Sequence, residues 1–250
     1  MAIKSMQVLF LGSQSGMNKG FMTFGVDMGK KVESPFLSFL VKADEGNILV
    51  DTGLNPGDVE MMSRMGPITL TEEHYLPARL KECGLTMADI TMVIQTHLHG
   101  DHVGWLRYLT NAEVLVQREE YNFASNPPPY TRYIVNRFNS PGIKWKFVDG
   151  DHIIMPGLTL LFTPGHTAGC QSVMVDLPRT GPVLLVGDAG FLQENFEKEL
   201  IPTSFWDQKE ALLSLKRLKV WSQIRGAPIF CSHDIEYWRR KMVKSPDAYH

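Results

Sequence analysis

The segment from Thr96 to His102, Thr-His-Leu-His-Gly-Asp-His, constrains this chain more than any other. It places three imidazoles and a carboxylate directly after the strand-like run Thr91-Met92-Val93-Ile94-Gln95. In extended backbone, side chains at i and i+2 point the same way, so His97 and His99 can meet one cation. Gly100 allows a sharp turn, after which Asp101 and His102 face a second position close to the first. Neutral imidazole and carboxylate are ligands that zinc accepts, as do manganese, cobalt and iron. An isolated His-x-His would be a weak signal. His-x-His-x-Asp-His is a strong one, provided distant residues complete the coordination.

Such residues exist. His166 sits in a glycine-bracketed turn after the apolar run Leu158 to Phe162, Asp188 ends the run Val183 to Val186, and His233 follows Pro228 to Cys231. Strand ends running into loops are where α/β folds gather chemistry. Any one of these alone reads as a turn histidine or a capping aspartate. Together with the central motif they bring five of the eight histidines to such positions. Asp51, which closes the run Ile48 to Val50, reads either as a group orienting a metal-bound histidine or as a plain turn aspartate.

The 250 residues suit one large domain or two small ones, and a 44% hydrophobic fraction supports a substantial core. A net charge of −2 gives no reason to expect nucleic acid or an anionic membrane as partner. No apolar run approaches the ~20 residues that span a bilayer. The start reads as a first strand, Gln7 to Leu11, and not as a signal peptide. Three scattered cysteines imply no disulfide framework, so the expected location is the cytoplasm.

Along the chain, Pro35 to Val41 and Ile48 to Val50 form a predicted hairpin about Asp44-Glu45-Gly46-Asn47. Residues 54 to 73 read as a long connection whose Met61, Met62 and Met65 either fill the core or wall a substrate pocket. Pro77 to Cys83 reads as a helix closed by Gly84. Asn126-Pro127-Pro128-Pro129-Tyr130 forbids regular structure, which leaves Tyr130, Arg132 and Tyr133 as exposed loop residues or a pocket rim. Strands resume from Lys144, and Asp207 to Ile224 is a helix with Ala211, Leu212, Leu215, Leu218 and Trp221 on one face. Strands precede helices in both halves, which suggests two sheets packed face to face with helices outside.

Asp51-Thr52-Gly53, His97 to His102, Gly165-His166-Thr167, Gly187-Asp188-Ala189 and Ser232-His233-Asp234 resemble, in order and spacing, the metallo-β-lactamase superfamily. Glu194-Asn195-Phe196-Glu197, Leu215 to Lys219 and His233 to Glu236 look most like its N-acyl-homoserine lactonase branch, the quorum-quenching enzymes. The resemblance implies a single αββα domain over residues 1–250, two mixed sheets with a dinuclear site at one edge. Carried over by position, His97, His99 and His166 hold one divalent ion, Asp101, His102 and His233 the other, and Asp188 bridges them. Zinc is the expected metal, with manganese, cobalt or iron as alternatives. A hydroxide between the ions would open a lactone, and Asp101 or Asp188 would shuttle the proton. A homodimer is compatible with this reading.

One position departs from the pattern. The lactonases resembled carry a tyrosine three residues after the bridging aspartate, whose phenol reaches the bound lactone, and this chain has Phe191 there. Other substrates therefore stay open: a different lactone, a thioester as in glyoxalase II, or a phosphotriester. The glyoxalase II enzymes carry a basic C-terminal region that does not follow His233 here. A mononuclear iron oxidoreductase would leave Asp101, His102 and His233 surplus, and a non-catalytic metal module would be expected to use cysteines.

Overall fold

In the computed structural model, residues 2–128, 131, 133–241 and 248–250 are described. The seven-stranded sheet has the order β4-β1-β2-β3-β5-β6-β7. Its strands are β1 (Ile3–Asn18), β2 (Lys31–Ala43), β3 (Gly46–Val50), β4 (Ile68–Thr69), β5 (Ile90–Ile94), β6 (Glu113–Gln117) and β7 (Lys144–Val148). The five-stranded sheet, β12-β11-β10-β9-β8, contains β8 (His152–Met155), β9 (Leu158–Phe162), β10 (Gln171–Leu177), β11 (Gly181–Leu185) and β12 (Ile229–Phe230). Both sheets are mixed: β3, β5, β6 and β7 run parallel, as do β11 and β12, and the remaining pairs are antiparallel.

The alternation of apolar residues places one core between the sheets. Met6, Val8, Phe39, Val41 and Ile48 from one sheet meet Leu158, Leu160, Val173, Val175 and Val183 from the other. The outer face of the larger sheet packs on α2 (Leu76–Glu82), α3 (Arg118–Ser125) and α4 (Val135–Phe138) through Leu76, Leu80, Ala124 and Phe138. The outer face of the smaller sheet packs on α5 (Gln193–Lys198) and α6 (Gln208–Arg225) through Phe196, Ala211, Leu215 and Leu218. The result is the expected four-layer αββα sandwich. Among the described residues, no helix is long and apolar enough to cross a membrane.

Two expectations need correction. The first strand is much longer than Gln7 to Leu11, because bulges let it carry Ser13 and Gln14 through the core. Gln14 satisfies its buried amide by donating to the carbonyls of Met62 and Gly66. Residues 54 to 73 are not one irregular connection. They contain a 3₁₀ turn at Pro56–Asp58, α1 (Val59–Met62), a second 3₁₀ turn at Ser63–Met65, and β4. Asp58 there is buried in a two-pronged ion pair with Arg137, at 2.6 and 2.7 Å. On α6 the expected face holds: Ala211, Leu215 and Leu218 are buried, the half-buried Leu212 and Trp221 pack against them, and Leu213, Val220 and Ile224 face outward. The remaining helix is α7 (Ile235–Lys241).

Candidate metal centre

Strand direction decides where the chemistry collects. β3 and β5 run parallel, so Asp51 and the 96–102 segment leave the larger sheet side by side. β11 and β12 run parallel in the smaller sheet, so Asp188 and His233 also emerge together. β9 is two antiparallel steps from β11, so its outgoing end, which carries His166, reaches the same edge. Asp51 adopts φ +59°, a left-handed conformation that strains any residue with a Cβ. Its carboxylate accounts for that: it accepts from Thr96 N (2.8 Å) and Thr96 Oγ1 (2.7 Å) and lies 2.8 Å from His102 Nδ1. Of the two readings of Asp51, the geometry matches the orienting one.

The structure brings together all seven residues singled out as ligands. His97 Nε2 and His166 Nε2 approach His99 Nδ1 at 3.1 and 3.0 Å. His102 Nε2 lies 3.7 Å from Asp101 Oδ2, and Asp101, His102 and His233 form a second group able to hold an ion. Asp188 stands between the groups with one oxygen toward each. Its Oδ2 is 3.7 Å from His97 Nε2 and 3.2 Å from His166 Nε2. Its Oδ1 is 3.4 Å from His102 Nε2 and 3.1 Å from His233 Nε2, which also lies 3.3 Å from Oδ2.

The far sides of the rings are anchored. His166 Nδ1 donates to the Ser204 carbonyl at 2.7 Å, which leaves Nε2 as a lone pair aimed inward. Thr96 Oγ1 lies 3.1 Å from His97 Nδ1, and Ser34 Oγ lies 2.9 Å from His233 Nδ1.

These donors fit a divalent cation. Among the described residues, His102 Nε2 is buried with no hydrogen-bond partner, a costly state for a ring nitrogen unless an ion takes it up. Three buried imidazole nitrogens converge on one point, and their lone pairs repel without a cation between them. Burial holds His97 well below its usual pKa, helped by neighbouring imidazoles, which suits a neutral ligand. Burial also disfavours charge on Asp188, yet His233, His102, His97 and His166 outweigh it and keep its carboxyl well below the usual range. Burial opposes a charged His102, but the carboxylates of Asp188, Asp51 and Asp101 prevail and raise it.

Other residues fall differently from expectation. Phe191 points at the centre, its ring 4.8 Å from that of His233 and 5.6 Å from that of His166. Of the three methionines, Met62 alone lines the inner pocket, a space of about 20 Å³ that Phe191, Asp101 and Asp188 also border. Met61 is exposed, because neighbours on a helical turn point about 100° apart. Met65 packs beside Phe191 instead. Tyr133 is half-buried, its ring 4.8 Å from His99, and lines an outer cavity with His99 and His166. Tyr130 and Arg132 lie outside the described residues.

Sequence reasoning missed Glu120, on α3. Its fully buried carboxylate accepts from Leu98 N (2.9 Å), between two ligand histidines, and from Gly169 N (3.0 Å), in the loop after His166. It also accepts from the Tyr133 hydroxyl at 3.0 Å. Gly169 makes this possible, since a Cβ there would come within 2.2 Å of the Glu120 backbone nitrogen. No local signal marks Glu120, because its partners lie 22 and 49 residues away.

Comparison with known proteins agrees with this picture. Residues 36–226 match the model of the metallo-beta-lactamase superfamily. The chain is 36% identical over 219 residues to an N-acyl homoserine lactonase from a Bacillus species, covering 84% of this chain and 86% of that one. It superposes with TM-score 0.89 at 32% identity on a variant of Bacillus thuringiensis AiiA with N-decanoyl-L-homoserine bound at its active site, covering 99% and 100% of the two chains. It matches equally well an N-acyl homoserine lactone hydrolase with the product N-hexanoyl-L-homoserine at its catalytic metal centre (TM-score 0.89, 32% identity, 99% and 100% covered).

Proposed function

The chain belongs to the metallo-beta-lactamase superfamily and, within it, to the N-acyl homoserine lactonases, and from that premise we propose that it hydrolyses the lactone ring of N-acyl homoserine lactones. Such an activity removes quorum signals. The observation that carries this reading is the position of Asp188, one oxygen toward each of two triads, in a family whose relatives are lactonases. A divalent metal is the cofactor. We assign two ions, zinc foremost, one to His97, His99 and His166 and one to Asp101, His102 and His233, with Asp188 shared. When bound, such ions lower the pKa of water to about 7 and polarise an ester carbonyl.

The chain's own groups have defined tasks. Asp51 and the Ser204 carbonyl fix the tautomers of His102 and His166, so each presents an unprotonated nitrogen to the centre. Water adds across the acyl carbon–oxygen bond of the ring. The proton it loses must reach the departing alkoxide, and Asp101 or Asp188, both bordering the inner pocket, can carry it there. Phe191 walls that pocket and excludes water without supplying a hydrogen bond. A proton-release screen of lactones, glutathione thioesters and phosphotriesters on zinc-loaded protein tests the assignment. Homoserine lactones should give the highest kcat/KM. A thioester or phosphotriester that outpaces every lactone overturns it.

A further inference from the structure

Most of the candidate ligands have a side-chain anchor, and Asp101 has none. His97, His102, His166, Asp188 and His233 each meet a group outside the ligand set: Thr96, Asp51, the Ser204 carbonyl, Ser232 and Ser34. Among the described residues, the Asp101 carboxylate accepts no hydrogen bond, and its one ion-pair contact is His102 Nε2 at 3.7 Å. Asp101 nonetheless borders the inner pocket. Its position is therefore set by the backbone of the turn from His99 to His102, which His102 N closes by donating to His99 O at 3.0 Å.

That turn is gripped at both ends. At its start, the backbone of Tyr133 forms an antiparallel bridge with that of His99, and the two rings lie 4.8 Å apart. At its end, the strap that leaves β3 is laced to residues 102–104. Thr52 N and Thr52 Oγ1 donate to His102 O (2.7 and 2.9 Å), Gly104 N donates to Gly53 O (2.8 Å), and the Asn55 amide donates to Gly104 O (2.9 Å). The strap runs on to Asp58, while the chain after Tyr133 runs on into α4, which carries Arg137. There the two meet: Asp58 Oδ2 accepts from Arg137 Nε and Oδ1 from Nη2, with both residues only 7% exposed. A Cβ at Gly57 would stand 3.0 Å from Arg137 Nη2, so the glycine leaves the guanidinium its room. The ion pair closes a ring of contacts around the turn that carries Asp101.

We infer that Asp58 and Arg137 are positioning residues for Asp101, a clamp that fixes from outside the pocket a carboxylate with no anchor inside it. The inference rests on the lactonase reading and deepens it by naming what aims one of its proton carriers. Stability is a poor reason for the pair, because exchanging a buried ion pair for apolar residues of similar size is often neutral or stabilising. Geometry is a better one. Two parallel N–H···O bonds fix separation and orientation together, which a lysine cannot reproduce. Neither residue lines the inner pocket, so both act through the turn.

The test replaces the pair by Asp58→Leu combined with Arg137→Met, which leaves no lone buried charge, and in parallel uses Arg137→Lys. The thermal midpoint of the double variant should stay within about 5 °C of the wild type. In metal-free protein, amide hydrogen exchange of residues 98–105, followed by mass spectrometry, should quicken by about tenfold. Zinc-saturated protein is then assayed on N-hexanoyl homoserine lactone and on N-hexanoyl homocysteine thiolactone. Water adds to the acyl carbon of both. The lactone breaks a carbon–oxygen bond, and its alkoxide must take up the proton that the water loses. The thiolactone breaks a carbon–sulfur bond and releases a thiolate that needs no proton to leave, since a thiol has a pKa of about 8.5. The double variant should lose about 30-fold in kcat/KM on the lactone and about threefold on the thiolactone, with the loss in kcat. Arg137→Lys should move the ratio of the two losses by about threefold.

Faster exchange at residues 98–105 with a selective loss on the lactone supports the clamp. Unchanged exchange overturns it, and so do equal losses on the two substrates, which would make the pair a merely structural one. If the double variant does not fold, Arg137→Lys decides by the same two readings. Absence of wild-type turnover on both substrates overturns the lactonase reading, and the exchange measurement then decides the clamp without it.

Discussion

The two triads flanking Asp188 are built from nearly the same residue types but differ in what a buried carboxylate grips. At the His97, His99 and His166 triad, whose rings are anchored by Thr96 and the Ser204 carbonyl, that carboxylate holds the backbone. Glu120 grips the peptide N–H groups of Leu98 and Gly169. The Asp101, His102 and His233 triad is positioned through its rings. Asp51 reaches His102 Nδ1, and Ser34 and the Pro35 carbonyl reach His233 Nδ1. The first triad is three imidazoles, whereas the second includes the carboxylate of Asp101 and has that of Asp51 behind it. Spacing can be defended by clamping loops. Tautomer and charge must be defended at the ring itself.

Replacing Asp188 with alanine should abolish the distinction altogether, since both triads lose their shared oxygen donor. Metal content by elemental analysis should fall from two ions per chain to below one, and kcat/KM should drop by at least about 10³-fold. Retention of two ions in that variant would remove Asp188 from the bridge. Next in size is a crossed pair of variants. Glu120→Gln keeps one acceptor oxygen but turns an NH2 group toward a peptide N–H or the Tyr133 hydroxyl. Asp51→Asn weakens the support of His102. Each should lower the metal affinity of its own triad by about 10- to 100-fold and spare the other. Graded chelation of cobalt-loaded protein, followed spectroscopically, reads the two positions separately. Variants that drain the same position would erase the contrast drawn here.

Phe191→Tyr should have the smallest effect. The ring stands beside His166 and His233, one from each triad, so a phenol there would reach a substrate held between them. A hydrogen bond formed better in the transition state is worth about 1–2 kcal/mol, or about 5- to 30-fold in kcat/KM on homoserine lactones. An unchanged rate with a lower thermal midpoint would mean that the hydroxyl is buried among Met17, Met22 and Met65 without a partner.

The candidate ligands were legible in the sequence because ligand chemistry is local: residue type, spacing and a strand end suffice to suggest them, while their division into two triads came from the family resemblance. The hairpin of β2 and β3 followed from apolar runs in the same way, and the branch of the superfamily from stretches beyond the ligands. The length of β1 was not legible, because Gly12, Ser13 and Gln14 read as a break and their burial depends on bulges and on partners about 50 residues away. Met61 and Met62 looked equivalent, and only the helical turn at Val59–Met62 sends one outward and the other into the pocket. Glu120 sits beside Glu119 in what reads as a solvated helix start, and only the folded chain shows which of the two is buried.

The arrangement of donors on both sheets also bears on how the protein matures. Oxygen and nitrogen donors from His97 to His233 meet at one edge of the sandwich, so no fragment of the chain can assemble the centre. On this assignment the complete centre would form late, only once both sheets have closed on their common core. A cation that binds only the finished fold stabilises it by mass action, by about 4 kcal/mol at a thousandfold excess over Kd. The midpoint of thermal unfolding becomes a function of free metal concentration. In a cell, scarcity of the ion would shorten the lifetime of the enzyme as well as silence it.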